Sequence, residues 1–255
     1  MPANAAYPFL DWPGPIAFAH RGGASEAPEN TMPAFEHAVR LGYRYLETDA
    51  HVTADGVLIA FHDDHLDRLT GGTGVLGDLP YAAVKEALVR DREDIPLLED
   101  LLTAWPDVRI NIDPKHDAAV DPLVEVIERT GTVDRVCIGA FSDRRLARVR
   151  ERLGPRVCTS MGPRQVARFL AASRGLPAGT FSAGCLQVPV KRGPVALVTD
   201  RVVAAAHERD LQVHVWTVND PDEMRSLLDL GVDGIMTDRA DVLKAVLQER
   251  DQWTT

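Results

Sequence analysis

Cysteine is scarce in this chain of 255 residues: there are three, at positions 137, 158 and 185. They are odd in number, far apart, and each lies inside an apolar run, so neither a disulfide framework nor a CxxC metal motif follows. The thiols are expected to pack as small buried hydrophobes. Long hydrophobic runs are also missing. No stretch approaches the ~18 uncharged apolar residues of a membrane helix, and Met1 to Pro15 shows no basic region followed by an apolar one as in a secretory signal. No stable membrane insertion is expected, and a cytoplasmic location is the simplest reading. Positive charge is in deficit, 28 Lys and Arg against 38 Asp and Glu, for a formal charge of -10. The basic residues are scattered, which excludes a nucleic-acid partner and disfavours adsorption to anionic lipid. A local positive pocket for a small phosphorylated molecule is still compatible with such a surface. Aromatics make up only 6% of the chain, too few to supply or exclude an apolar channel.

What is present is a rhythm. The chain is 45% hydrophobic, and short Val/Ile-rich runs alternate with stretches of three-and-four apolar spacing, as in Leu146, Val149, Leu153. Strands are predicted near Pro15–Ala19, Tyr43–Asp49, Val108–Asp113, Arg135–Ala140, Arg156–Ser160, Gly184–Val188, Gln212–Thr217 and Gly234–Thr237. Eight βα units in this length predict an α/β fold, a (β/α)8 TIM-type barrel, as a single domain over 1–255. One interval breaks the rhythm. Residues 54–96, roughly, contain an extra strand, Val57–Phe61, a Gly-rich loop, Thr70-Gly71-Gly72-Thr73-Gly74, and a short helix near Tyr81–Val89. They read as an insertion after the second strand, too short to bury its own core. The loop glycines lack the order of a phosphate-binding loop and read as turn residues.

Barrels of this kind collect functional side chains at the C-terminal ends of their strands. His20 ends the first strand. Glu47 and Asp49 end the second, and alternate strand residues share a face, roughly 7 Å apart along the chain. Asp113 and Lys115 repeat that spacing at the third strand, with Pro114 turned away. His62 ends the extra strand. Carboxylates with a lysine and histidines suit one hard divalent cation, Mg²⁺ or Ca²⁺, better than zinc. Over such a cation, Lys115 and Arg21 can offset the charge of a phosphodiester in displacement. His20 and His62 would serve as acid and base near neutral pH. His37, His51, His65, His116, His207 and His214 are expected to be structural, with His51 sharing the face of Asp49. Asn30 precedes a helical pattern and suits an N-cap.

The runs His20-Arg21-Gly22, Ala27-Pro28-Glu29-Asn30-Thr31, Glu47-Thr48-Asp49, Thr53-Ala54-Asp55-Gly56 and Phe61-His62-Asp63 resemble the glycerophosphodiester phosphodiesterase family. So do Asn111-Ile112-Asp113-Pro114-Lys115, Val215-Trp216-Thr217-Val218-Asn219 and Gly231-Val232-Asp233-Gly234-Ile235, in the family's order over most of the chain. The resemblance implies a barrel with an insertion after the second strand and metal-dependent hydrolysis of a small glycerophosphodiester to glycerol 3-phosphate and an alcohol. It implies His20 and His62 as the acid/base pair, Glu47, Asp49 and Asp113 as metal ligands, and Arg21 and Lys115 at the phosphate. Trp216 would line the substrate pocket, and Glu29 and Asn30 would brace the first loop. The family most often has Glu at the place of Asp113 and an aliphatic residue at that of Pro114. The shorter side chain draws that ligand back by ~1.5 Å. Phospholipase D-type enzymes of venoms and some microbes also use Asp there, so a lysophospholipase D-like activity on acylated substrates is the rival reading. A barrel that binds phosphorylated metabolites without turning them over is another, which the pair His20 and His62 argues against.

Overall fold

Alternation along the strands sorts the side chains into two compartments. In the computed structural model, which describes residues 7–24, 27–177 and 179–254, Ala17, Ala19, Leu46, Ile110, Ile112, Ile138, Leu186, Val213, Val215 and Ile235 belong to one large apolar cluster with helix residues such as Phe35, Leu101, Leu123 and Leu243. Their strand neighbours Phe18, Tyr45, Cys137, Cys158, Cys185 and Met236 form a second cluster with Phe9 and Leu10. The first cluster is the layer between sheet and helices, and the second fills the barrel interior, as a period of two requires.

The strands in chain order are β1 (Ile16–His20), β2 (Tyr45–Val52), β3 (Leu58–Ala60), β4 (Arg109–Pro114), β5 (Val136–Ile138), β6 (Cys158–Thr159), β7 (Cys185–Pro189), β8 (Lys191–Arg192), β9 (Val195–Ala196), β10 (Gln212–Trp216) and β11 (Gly234–Thr237). Parallel pairing runs β6-β5-β4-β2-β1-β11-β10-β7, and a parallel bridge between Ser160 and Cys185 joins the two ends. These are the eight predicted strands, with ends displaced by no more than three residues. β5 and β6 are the shortest of them. The hairpin β8-β9 carries no apolar alternation and was not foreseen in the sequence; both strands are exposed.

Helices between the strands are α1 (Met32–Leu41), α2 (Tyr81–Lys85), α3 (Leu98–Ala104), α4 (Val120–Thr130), α5 (Asp143–Leu153), α6 (Pro163–Ala172), α7 (Asp200–His207), α8 (Pro221–Asp229) and α9 (Ala240–Glu249). Each of the longer ones turns an apolar stripe to the sheet, as with Leu123, Val124, Val126 and Ile127 of α4, and such stripes supply most of a helix's stability in a protein. Among the described residues no helix is long and apolar enough to cross a membrane. The segment after β2 differs from expectation in one respect. β3 pairs antiparallel with β2, and Ile59, Phe61, Leu66, Leu69, Leu76, Val84, Val89 and Ile95 bury a small apolar cluster of their own. That cluster holds the segment against the mouth of the barrel and gives His62 a fixed root.

Candidate active site

Register fixes the heights of the functional side chains. Glu47 lies opposite His20 in β1 and Asn111 in β4, and Asp49 lies opposite Asp113. Four acidic and basic groups thus meet at one rim. Lys115 Nζ stands 2.5 Å from Asp49 Oδ1 and 2.8 Å from Asp113 Oδ2, while Arg21 Nε is 3.1 Å from Asp49 Oδ2. The three carboxylates line the mouth, but among the described residues they do not all close to within 4.8 Å of one another. The lysine ammonium lies between two of them, where it offsets the repulsion of like charges in a poorly solvated place.

Burial governs the titration of these groups. It pushes Glu47 up to about 7, with Asp49 adding to the rise and His20, Lys115 and Arg21 opposing it. Burial also raises Asp113, against the pull of Lys115. At Asp49 the burial is outweighed by Lys115 and Arg21, which hold the carboxyl below its usual range. Asp113 Oδ1 is buried without a hydrogen-bond partner. Hard oxygen donors, one of them unpartnered, fit a divalent cation of the Mg²⁺ or Ca²⁺ kind.

Both histidines are oriented by a carboxylate through Nδ1. His20 Nδ1 is 2.6 Å from Asp238 Oδ1, with its Nε2 turned toward Glu47 at 3.7 Å. Burial alone would depress this imidazole, yet Glu47 and Asp238 outweigh it and its pKa is raised. Asp238 is held in turn by Asn219, whose Nδ2 donates to Oδ2 at 2.9 Å and whose Oδ1 accepts from the Asp238 and Thr237 donors. His62 Nδ1 is 2.5 Å from Asp63 Oδ1. Arg68 bonds Asp63 and also Glu29, which pairs with Arg21 at 2.8 Å. One guanidinium therefore ties the loop after β3 to the loop after β1.

The loop after β1 makes a tight turn in which Arg21 has a φ of 51° and Gly22 of 88°. That turn lets the Arg21 N–H donate to Glu47 Oε2 at 3.2 Å. Asn30 does not cap α1, contrary to expectation; Thr31 occupies the N-cap without a side-chain bond. With its own φ of 55°, Asn30 turns inward, donates to Asp49 Oδ2 at 3.0 Å and accepts from Thr48 Oγ1 at 2.8 Å. A buried carboxylate is a stronger acceptor than a helix end is a donor. Trp216 ends β10 half-buried, its ring edge-on to Phe141 at 5.7 Å. His51 does more than its sequence position suggests: buried, with its pKa lowered by that burial, it donates from Nε2 to the His62 carbonyl at 3.0 Å.

Sequence reasoning gave no role to Asp238, Arg68 and Phe141, nor to Asn219 and Asp63, which it met only inside the runs shared with the family. Asp238 directly follows the last predicted strand and Phe141 the fourth, so the rule that drew attention to His20 applies to both. Arg68 sits in the insertion and carries no such signal.

Comparison with known proteins identifies the family. The model of the glycerophosphoryl diester phosphodiesterase family matches residues 20–242. A protein of Mycobacterium tuberculosis (strain H37Rv), the probable glycerophosphodiester phosphodiesterase 2, is 44% identical over 252 residues, 96% of this chain and 95% of its own. A putative glycerophosphoryl diester phosphodiesterase from Silicibacter pomeroyi has the same fold, with a TM-score of 0.82 at 23% identity over 97% of this chain and 100% of its own. So does a phosphodiesterase of Oleispira antarctica solved with its product sn-glycerol-3-phosphate, with a TM-score of 0.78 at 21% identity over 92% and 97% of the two chains. Matched by the family model from the first candidate histidine almost to its C-terminus, and by a close relative along nearly its whole length, the chain belongs to the glycerophosphoryl diester phosphodiesterase family.

Proposed function

We propose that this phosphodiesterase hydrolyses a glycerophosphodiester, with the aid of one divalent cation, Mg²⁺ or Ca²⁺, to glycerol 3-phosphate and an alcohol. The observation that carries the reading is the paired arrangement of His20 on Asp238 and His62 on Asp63 at the mouth that holds Glu47, Asp49 and Asp113. The product found with the Oleispira antarctica relative supports glycerol 3-phosphate as the phosphate-bearing half.

Glu47, Asp49 and Asp113 would hold the cation, which when bound polarises the phosphoryl oxygens. Arg21 and Lys115 face the same carboxylates and can share their charge with a phosphate that enters between them. With Nδ1 engaged by a carboxylate, each imidazole keeps Nε2 for the reaction. One takes the proton of the attacking oxygen, and the other returns a proton to the oxygen of the departing alcohol. Glu29, through Arg21 and Arg68, and Asn30, through Asp49, keep these groups in place. Trp216 would wall the alcohol side.

The test is choline release from glycerophosphocholine, and alcohol release from related diesters, with Mg²⁺ or Ca²⁺ added after chelation. Metal-dependent turnover is expected; no turnover on any glycerophosphodiester overturns the reading. Phe141, 70% exposed and edge-on to Trp216, favours one second reading, in which the glycerol half of the diester carries an acyl chain. Turnover of lysophosphatidylcholine above that of glycerophosphocholine, lost in Phe141→Ser, would establish it.

A further inference from the structure

The sulfur atoms of Cys137, Cys158 and Cys185 all lie within 4.8 Å of one another, fully buried. Three points so placed share a centre no more than about 2.8 Å from each, against ~2.3 Å for a zinc–thiolate bond. Far apart in sequence, the three belong to neighbouring strands. Cys137 is the register partner of Cys158, and Cys185 forms the bridge with Ser160 that closes the barrel. Their flanking residues Val136, Ile138, Val157 and Leu186 face the helices, so all three thiols point into the interior.

We propose that these thiols form a site for a soft d¹⁰ cation, zinc being the first choice, in the barrel interior beside Phe9 and Leu10. Soft thiolates select such ions, while the oxygen donors around Asp113 select hard ones. The thiols lie in an otherwise apolar interior cluster, with polar groups two residues further along, past the end of β5. A Cβ placed on Gly139, two residues beyond Cys137, would meet Gln187 Oε1, Ser160 Oγ and Asn111 Nδ2 within 4 Å, and Gln187 Nε2 also lies 3.4 Å from His214 Nδ1. On the outer side Phe9 and Leu10 close the interior beneath the sulfurs, so the ion would enter during folding or when the N-terminal segment lifts. Position gives the site a purpose. β6 has two residues and meets β7 through a single bridge, and a cation held by Cys158 and Cys185 would cross-link that seam.

The test uses the reduced, folded protein in excess Mg²⁺, which saturates hard oxygen sites. Elemental analysis of the protein as isolated should find close to one zinc per chain, or titration with Cd²⁺ should produce a thiolate-to-metal charge-transfer band that saturates at one equivalent. The band should be lost in Cys137→Ser and Cys185→Ser. Folded wild-type protein that carries no zinc and gives no such band overturns the proposal, as does a band that survives both substitutions. Mass analysis showing two of the three sulfurs joined in a disulfide in the untreated protein also overturns it.

Discussion

The Nδ1 atom of His20 lies 2.6 Å from Oδ1 of Asp238, a separation of 218 residues along the chain. β1 and β11 are register partners from Ile16 to Ala19, so the first and last strands of the barrel jointly orient one imidazole. Such a bond fixes which nitrogen carries the reactive proton. Replacement of Asp238 by Asn keeps the shape and removes the charge. Turnover should fall by about 100-fold with little change in KM, and the His20 titration followed by NMR should move to lower pH. Unchanged kcat would assign Asp238 a purely structural part.

The two histidines are expected to act as one unit. His20→Ala and His62→Ala should each reduce kcat by about 10²- to 10⁴-fold, and the double variant should be little worse than either. Mg²⁺ affinity measured by calorimetry should be nearly unchanged in all three. Full activity in either single variant removes that residue from the chemistry.

Asp63 couples pH to stability. Its hydrogen bond from Arg68, with help from His62, holds the carboxyl at about 2 in the folded chain against 3.8 as the ordinary value. A group with a depressed folded pKa favours the folded state at every pH above its unfolded value, and that contribution fades as the pH falls toward its folded one. The pair is partly solvated, so the gain is modest. In urea unfolding, wild type should exceed Asp63→Asn above about pH 4 and converge with it near pH 2.

Two glycines separate backbone strain from crowding. Gly22 and Gly56 have similar φ, 88° and 85°, but a Cβ at Gly22 would come within 2.8 Å of Ala34 and one at Gly56 meets nothing within 4 Å. Gly56→Ala should cost about 1 kcal/mol from the left-handed conformation alone. Gly22→Ala should cost at least about 2 kcal/mol more through overpacking, and should also displace the Arg21 N–H from Glu47. Equal unfolding midpoints for the two variants would contradict the close packing of that turn.

Period-two alternation made the barrel legible, because one face of every strand had to meet the helices and the other the interior. Strand ends decided the site: His20, Glu47, Asp49 and Asp113 stand at the rim where their positions in the pattern put them. What local pattern could not convey was partnership across the fold. Asp238 binds His20 only because β11 returns beside β1, and Arg68 reaches Glu29 only because a small apolar cluster anchors its loop. Asn30 illustrates the same limit. Its propensity pointed to a helix cap, and a buried carboxylate elsewhere in the chain claimed its side chain instead. The three cysteines pack in the interior apolar cluster as expected, but their positions in the sequence did not convey that neighbouring strands bring them together.

Asp113 bears on the choice of cation. Its Oδ2 meets Lys115 at 2.8 Å, and its Oδ1 is buried with no partner. Extending it to Glu moves the carboxylate forward by ~1.5 Å. Mg²⁺ requires ligands near 2.0–2.1 Å in octahedral order, whereas Ca²⁺ accepts 2.3–2.6 Å and looser geometry. As a ligand in the proposed site, Asp113 would favour the larger ion, and Asp113→Glu, by tightening the ring of oxygens, should raise the ratio of Mg²⁺- to Ca²⁺-supported kcat/KM by about tenfold, or about 1.4 kcal/mol. The extra methylene in a buried place should also lower the melting temperature, as overpacking costs about 1–3 kcal/mol. A folded variant with an unaltered ion ratio would show that Asp113 serves Lys115 alone and that the cation is held without it.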